Sequence, residues 1–408
     1  MLFYNLAVFI YHLGVRIVAL TNTKAAKWVA GRKGVLDRIQ KEVQTEDHPI
    51  WVHCASLGEF EQGRPVIERL KQQHPEIKIL ITFFSPSGYE VRKDYEYASY
   101  IYYLPPDSKR NARRFLELVK PRVAIFVKYE YWLHYLTALN DKNIPTYLIS
   151  ARLRADQIFF KGYGGLFRKA LGNLTGIFLQ DQASSELAQS IQLNNTRILG
   201  DTRYDRVAET VSNAQEMKGL SAFIDGAKVF IAGSTWPVDE EFILPFIGAA
   251  SEKFKYILAP HEVNEQHIKE IEQALSVPYV RYSEINDGDL KKARVLIIDN
   301  VGMLSNLYQY GDIAYVGGGF TGALHNILEP AAFGMPILFG PKFSKFPEAA
   351  ELIEAGGAFS IEDGIHFVSR MAFLSDPFIV KIASEVSKKF IHERTGASDA
   401  IVGAMKLN

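Results

Sequence analysis

Two spacings of apolar residues divide this chain. Up to Leu20 the apolar positions are nearly continuous (MLFYNLAVFIYHLGVRIVAL), broken by Asn5, His12 and Arg16. From residue 49 onward, short apolar runs of strand length alternate with stretches whose apolar residues return every three to four positions. The first series predicts strands at 49–55, 78–84, 100–104, 123–128, 146–150, 176–180 and 197–199, with helices such as 61–73, 111–119 and 184–191 between them. A second series predicts strands at 228–233, 256–259, 294–298, 313–316 and 336–339. Repeated strand–helix alternation builds parallel sheets covered on both faces. Two such series, joined by a polar helical segment at 208–226, predict an α/β protein of two doubly wound domains with a cleft between them. The run 377–408 reads as one or two further helices.

Composition narrows the class. A chain of 408 residues exceeds one ordinary core, which fits two domains. Lys plus Arg and Asp plus Glu both number 46, so no bulk positive charge favours nucleic acid. The single cysteine, Cys54, excludes an internal disulfide framework and a cysteine zinc site, and its apolar strand reads as a buried structural thiol. The histidines show no H-x-x-x-H pairing, so no metal is expected. G-x-G-x-x-G after a first strand and G-x-x-x-x-G-K-[ST] are both absent, which removes the main support for nicotinamide cofactors and nucleoside triphosphate hydrolysis.

The first twenty residues carry no acid and are barely long enough to span a bilayer, with Arg16 in their last third. They lack a basic leader and a small-residue cleavage site. Apolar residues cover nearly the whole helix, which favours a monotopic helix lying in a membrane face over an ordinary buried first helix. Lys24, Lys27, Arg32, Lys33 and Arg38 follow as a basic collar for anionic headgroups.

Candidate chemistry clusters where strands end. Ser56-Leu57-Gly58-Glu59 places a carboxylate after the first strand, as a general base or as half of a Ser-x-x-Glu capping box. Glu130 follows the fourth strand among aromatics, where burial demands a cationic partner such as Lys128. Arg152 and Arg154 also follow a strand, as anion forks or solvated ends. In the second series Ser234-Thr235-Trp236 precedes Asp239-Glu240-Glu241, and Pro260-His261 ends the next strand. Gly317–Gly319 then lead through His325-Asn326 to a helix containing Glu329-Pro330. Strand, glycine loop and helix place amides where an anion can sit, with Glu329 about one turn in and within reach of a nucleotide sugar. Asn326 and Glu329 equally have the spacing of a capping box.

Together these turns resemble the 3-deoxy-D-manno-octulosonic acid (Kdo) transferases of lipopolysaccharide assembly. The resemblance runs in order through CASLGE at 54–59, TFFSPSGYE at 82–90, YLPPD at 103–107, KYEYW at 128–132, LGDTRYDR at 199–206, AGSTW at 232–236 and HNILEPAAFGMPILFGP at 325–341. It implies a GT-B glycosyltransferase with two Rossmann-like domains facing a cleft. Its boundaries would be an anchor helix at 1–22, an acceptor domain at 23–212, a donor domain at 213–385 and a C-terminal helix at 386–408. The implied reaction moves Kdo from CMP-Kdo to the distal glucosamine 6′-hydroxyl of lipid IVA, with inversion and no cofactor or metal, at the cytoplasmic face of the inner membrane.

By position Glu59 matches the catalytic base and Glu130 the second acid, with Ser56 and Gly58 on the acceptor side. Arg203, Ser234, Thr235, Pro260, His261, Gly317, Gly318, Gly319, Asn326 and Glu329 would hold the donor, and Arg32, Lys33 and Arg38 the acceptor phosphates. The chain departs from the family's usual residues at Lys128, Leu133-His134, His261-Glu262 and the LGDTR turn, which bears on phosphate contacts and acceptor choice. The alternative within the fold is a transferase or epimerase of UDP-sugars.

Overall fold

The computed structural model describes residues 1–250, 254–285 and 290–407. It divides into two compact units, one formed by 1–206 with 395–408 and the other by 207–394. In the first unit the strands are β1 (Ile50–Cys54), β2 (Ile79–Phe83), β3 (Tyr100–Tyr103), β4 (Val123–Val127), β5 (Thr146–Ala151), β6 (Gly176–Leu179) and β7 (Thr196–Ile198). They form one sheet in the order β3-β2-β1-β4-β5-β6-β7, with every pair parallel. Every residue of β1, β2, β4, β5 and β6 is buried, because helices cover both faces.

The second unit repeats the plan with β8 (Lys228–Thr235), β9 (Phe254–Pro260), β10 (Tyr279–Arg281), β11 (Val295–Ile297), β12 (Ile313–Val316), β13 (Ile337–Phe339) and β14 (Ala358–Ser360). Their order is β10-β11-β9-β8-β12-β13-β14, again all parallel. In each sheet the strand order reverses beside the first strand, between β1 and β4 and between β8 and β12. A doubly wound sheet opens its ligand crevice at the carboxyl ends of such a pair.

Sequence periodicity predicts twelve of these strands and misses β10 and β14. Both are three-residue edge strands, too short and too exposed to carry a period. The change of unit falls at 206/207, inside the Thr202–Ser212 helix, rather than after 212. The C-terminal run is two helices with different homes: Pro377–His392 belongs to the second unit and Ala397–Ala404 to the first. Asp205 ties the returning chain down by accepting from Ser398 N and Oγ, both at 2.7 Å. Ile401, Val402 and Met405 then fill the core beside Ile50, Val52 and Val123.

The N-terminal helix spans Leu2–Val18, and none of its residues is buried. Among the described residues no helix is long and apolar enough to cross a membrane. Leu2, Phe3, Leu6, Phe9, Ile10, Leu13 and Ile17 stand exposed, Phe3 at 86%.

Candidate functional site

In the first unit, β1 and β4 each release one carboxylate. Ser56, extended, caps the Leu57–Gln73 helix, and Glu59 lies in its first turn. The Ser56 hydroxyl donates to the Glu59 carboxylate instead of accepting from an amide, so the two side chains pair with each other rather than forming a capping box. Gly58 is exposed beside them, and a Cβ there would meet only Ser56 Oγ at 3.8 Å. The approach to Glu59 is therefore open.

Beyond β4 the chain turns through Lys128 at φ 67° and buries Glu130. Its partner is not Lys128, whose ammonium lies 5.2 Å from the Tyr129 ring centroid. The Glu130 Oε2 instead meets His53 Nε2 at 3.1 Å and accepts from Trp132 Nε1 at 2.5 Å. His53 is fully buried in β1, and its Nδ1 lies 3.0 Å from the Thr82 carbonyl, which can only accept. This orients the imidazole, and Trp132 stacks on Phe84 at 4.9 Å between centroids. Burial raises the Cys54 thiol well above its ordinary pKa, and the Glu59 and Glu130 carboxylates add to the shift. Both carboxylates thus act on the end of β1.

The basic collar loses one member. Arg32 is turned inward: its Nε donates to Leu104 O at 2.9 Å, Nη2 to Phe84 O at 2.7 Å and Nη1 to Trp28 O at 3.2 Å. Its guanidinium also covers the Trp28 ring at 3.8 Å. A side chain spent on three carbonyls is a structural tether, not a phosphate ligand. Lys33 is exposed, and Arg38 is half-buried with Nη2 on Gly31 O at 2.8 Å. Arg203, expected beside the donor, lies in the first unit and is held by Asp201, with Nε to Oδ2 at 2.8 Å.

In the second unit, Ser234 takes φ 54° at the end of β8, and Thr235 is buried, donating to Glu240 Oε1 at 2.8 Å. His267 Nε2 reaches the same oxygen at 3.2 Å, and burial raises the Glu240 carboxyl. Thr235, Trp236, Glu262, Asn264 and His267 border a cavity of about 290 Å³.

The three glycines close the turn after β12 against β8, against Ala323 and against Gly340 beyond β13. A Cβ on Gly317 would sit 2.0 Å from Ser234 O, and one on Gly319 would sit 2.4 Å from Gly340 N. Their amides are less free than the sequence implies. Gly317 N donates to Gly233 O at 2.9 Å and Gly318 N to Asp239 Oδ2 at 3.4 Å. Asp239 is buried and also accepts from Tyr315 Oη at 2.5 Å and Trp236 N at 2.9 Å, while burial raises its carboxyl pKa.

The following helix is only Leu328–Ala332, with Glu329 its second residue rather than one turn in. So short a segment aligns too few peptide dipoles to serve as an anion site. Asn326 Oδ1 accepts from Leu328 N at 3.1 Å, and Glu329 accepts from Asn326 Nδ2 and Ser305 Oγ, both at 3.0 Å. These bonds fix the half-buried carboxylate.

His325, which the sequence marks only as part of the turn, joins the site. Trp236 Nε1 donates to its Nε2 at 3.2 Å, nearly coplanar at 19°, while exposed His261 stacks on Trp236 at 4.4 Å and lies tilted 4.5 Å from His325. Burial and then His261 lower the His325 pKa. His53 had one sequence signal, a polar residue amid the apolar run Trp51-Val52-His53-Cys54; Ser305 had none.

Residues 29–206 match the family model described as 3-Deoxy-D-manno-octulosonic-acid transferase (kdotransferase). The chain is 26% identical over 362 residues to the 3-deoxy-D-manno-octulosonic acid transferase of Rickettsia felis, covering 86% of this chain and 77% of that protein. With the enzyme of the same name from Aquifex aeolicus it shares 28% over 332 residues, covering 80% and 85%. Among solved structures, UDP-GlcNAc 2-epimerase from Neisseria meningitidis bound to UDP-GlcNAc aligns with a TM-score of 0.61 at 16% identity, covering 87% of this chain and 98% of that one. At that identity the likeness concerns the fold alone, and the fold is of the GT-B class.

Proposed function

Because this chain carries the Kdo transferase domain and is homologous over most of its length to Kdo transferases, we propose that it moves Kdo from CMP-Kdo to the distal glucosamine 6′-hydroxyl of lipid IVA. The observation that carries this reading is the pair of glutamates at the carboxyl ends of β1 and β4, the switch point of the first sheet. Glu59, open to solvent through Gly58, takes the proton of the acceptor hydroxyl as that oxygen attacks the anomeric carbon of Kdo. The bond from that carbon to the CMP phosphate breaks, its electron pair leaves with the phosphate, and the configuration inverts. One base on the acceptor side suffices for direct displacement. Glu130, fixed by His53 and Trp132, is the second acid beside the reacting sugars.

The donor lies on the second unit. Glu329 accepts from the cytidine ribose, and Ser234, with the Trp236, His261 and His325 rings, lines the nucleotide's place. The N-terminal helix rests its exposed apolar residues in the cytoplasmic face of the inner membrane, and Lys33 and Arg38 face the acceptor phosphates.

The test is transfer with lipid IVA as acceptor and CMP-Kdo generated in situ, comparing wild type with Glu59→Ala. We expect product from wild type and a loss of at least about a hundredfold in the variant, the lower end of the range for a positioned base, with CMP binding retained. Product mass counts the Kdo units. No product from folded, membrane-reconstituted wild type refutes the reading and directs the search to UDP-sugars. Full activity in Glu59→Ala keeps the reaction and returns Glu59 to the role of a helix-end acid.

A further inference from the structure

We propose that Tyr4, on the N-terminal helix, is a positioning residue for Glu130. The helix would then be part of the transfer site's support as well as a membrane contact. This rests on the reading of Glu130 as a site carboxylate.

The Leu133–Asp141 helix begins directly after Trp132, which donates to Glu130 and stands at the helix N-cap position. Trp132 has no side-chain oxygen to accept from the first-turn amides, so the cap must come from elsewhere. It comes from Asp107 and Tyr4. Asp107 Oδ2 accepts from His134 N at 3.2 Å and Oδ1 from Tyr135 N at 3.1 Å. The Tyr4 hydroxyl donates to Asp107 Oδ2 and lies 3.4 Å from Leu133 N, which donates to it. Three consecutive amides at the start of the helix are thereby held, one directly by Tyr4 and two through a carboxylate that Tyr4 orients. Burial first, and Asp107 second, raise the Tyr4 hydroxyl far above its ordinary pKa, so it stays a donor.

Two further contacts join the N-terminal helix to the same segment. Asn5 Oδ1 meets His134 Nε2 at 2.6 Å. The Tyr11 ring lies 6.0 Å from Phe84, which stacks on Trp132. Trp132 in turn donates to Glu130 Oε2. No residue of the N-terminal helix is fully buried, and its seating rests on this seam together with ring contacts of Tyr4 to Phe167 and of Tyr11 and His12 to Trp28. A shift of the helix therefore moves the start of the Leu133–Asp141 helix, then Trp132, then the Glu130 carboxylate.

The experiment compares full-length wild type, Tyr4→Phe and Asn5→Ala in detergent micelles, so that membrane attachment is not a variable. Two quantities are read: hydrogen exchange at the amides of Leu133, His134 and Tyr135, and steady-state transfer to lipid IVA. Tyr4→Phe keeps the ring and removes one oxygen. We expect exchange at these three amides to quicken at least severalfold. We expect kcat to fall roughly tenfold, with KM for CMP-Kdo unchanged, since a small misplacement near the reacting groups is costly. Asn5→Ala should move both readouts the same way, less strongly.

Wild-type exchange and wild-type kcat in both variants overturn the proposal. So does faster exchange spread over β1, β4 and β5 with a raised KM, which would mean general loosening. If wild type transfers no Kdo, the reading of the reaction fails, while exchange at 133–135 still decides whether Tyr4 holds that segment. If Glu130→Gln is fully active, Tyr4 has no carboxylate to position, and the proposal falls with that reading.

Discussion

Replacing Arg32 with methionine separates two roles that the sequence leaves in competition. Methionine keeps much of the stem and removes every donor. Trp28 O lies within the helix Thr23–Arg32, whose own ladder can satisfy it, but Leu104 O and Phe84 O lose a charged donor. Each buried carbonyl left unpaired costs about 1–3 kcal/mol. The cation over the Trp28 ring at 3.8 Å contributes roughly 0.5–2 kcal/mol more. Burial of the methionine returns part of this, for a net loss of about 2–5 kcal/mol. Urea unfolding of the full chain, followed by fluorescence with Trp28 and Trp51 among the reporters, reads the first unit's transition. A midpoint shift corresponding to less than about 1 kcal/mol at unchanged slope would refute the tether reading. A raised KM for lipid IVA with intact stability would restore Arg32 to the phosphate collar.

Gly319→Ala drives a methyl group toward Gly340 N at 2.4 Å, and backbone on both sides must move. Overpacking of this kind costs about 1–3 kcal/mol, so thermal unfolding of the second unit should fall and CMP titration should weaken; wild-type values for both would show that the turn has slack. His12 supplies a pH dependence. Burial, then the charges of Arg32 and Arg16, push its pKa down to about 4. Between the ordinary value near 6.5 and that figure, the detached helix binds a proton that the seated helix does not, so seating weakens as pH falls through this window. Relative to the intrinsic rate, which itself slows as pH falls, the protection of residues 2–18 should drop from pH 7 to pH 5, and His12→Phe should remove the difference. Equal pH dependence in both proteins would refute it.

The fold was legible because each central strand is buried on both faces and reads as an uninterrupted apolar run, as in Val123–Val127. The edges were not, since β10 and β14 bury little and repeat nothing. Glu59 and Glu130 were legible as strand-end acids, a placement that topology alone makes meaningful. The partner of Glu130 was not. Lys128 is two residues away in sequence, whereas His53 is a neighbour only because β1 and β4 pair. Gly317–Gly319 were recognised as a turn, but nothing local announced that Asp239, on a helix after β8, takes the Gly318 amide. Arg32 counted as exposed charge until packing placed three carbonyls around it. Sequence patterns report each residue's own periodicity, and these contacts were set by other strands and helices.

The return of residues 395–408 to the first unit governs the order in which this protein can be made. Ile401, Val402 and Met405 complete a core begun by Ile50 and Val52, so the unit that carries Glu59 stays unfinished until these residues leave the ribosome. Residues 207–394, by contrast, form a continuous stretch that can fold as soon as it emerges. The nascent chain thus has its later-encoded half ready first, with the earlier half holding an open apolar groove through the interval. A nick within residues 395–408 would consequently damage the glutamate-bearing unit, more than three hundred residues upstream in the chain, before it touched the sheet encoded next to it.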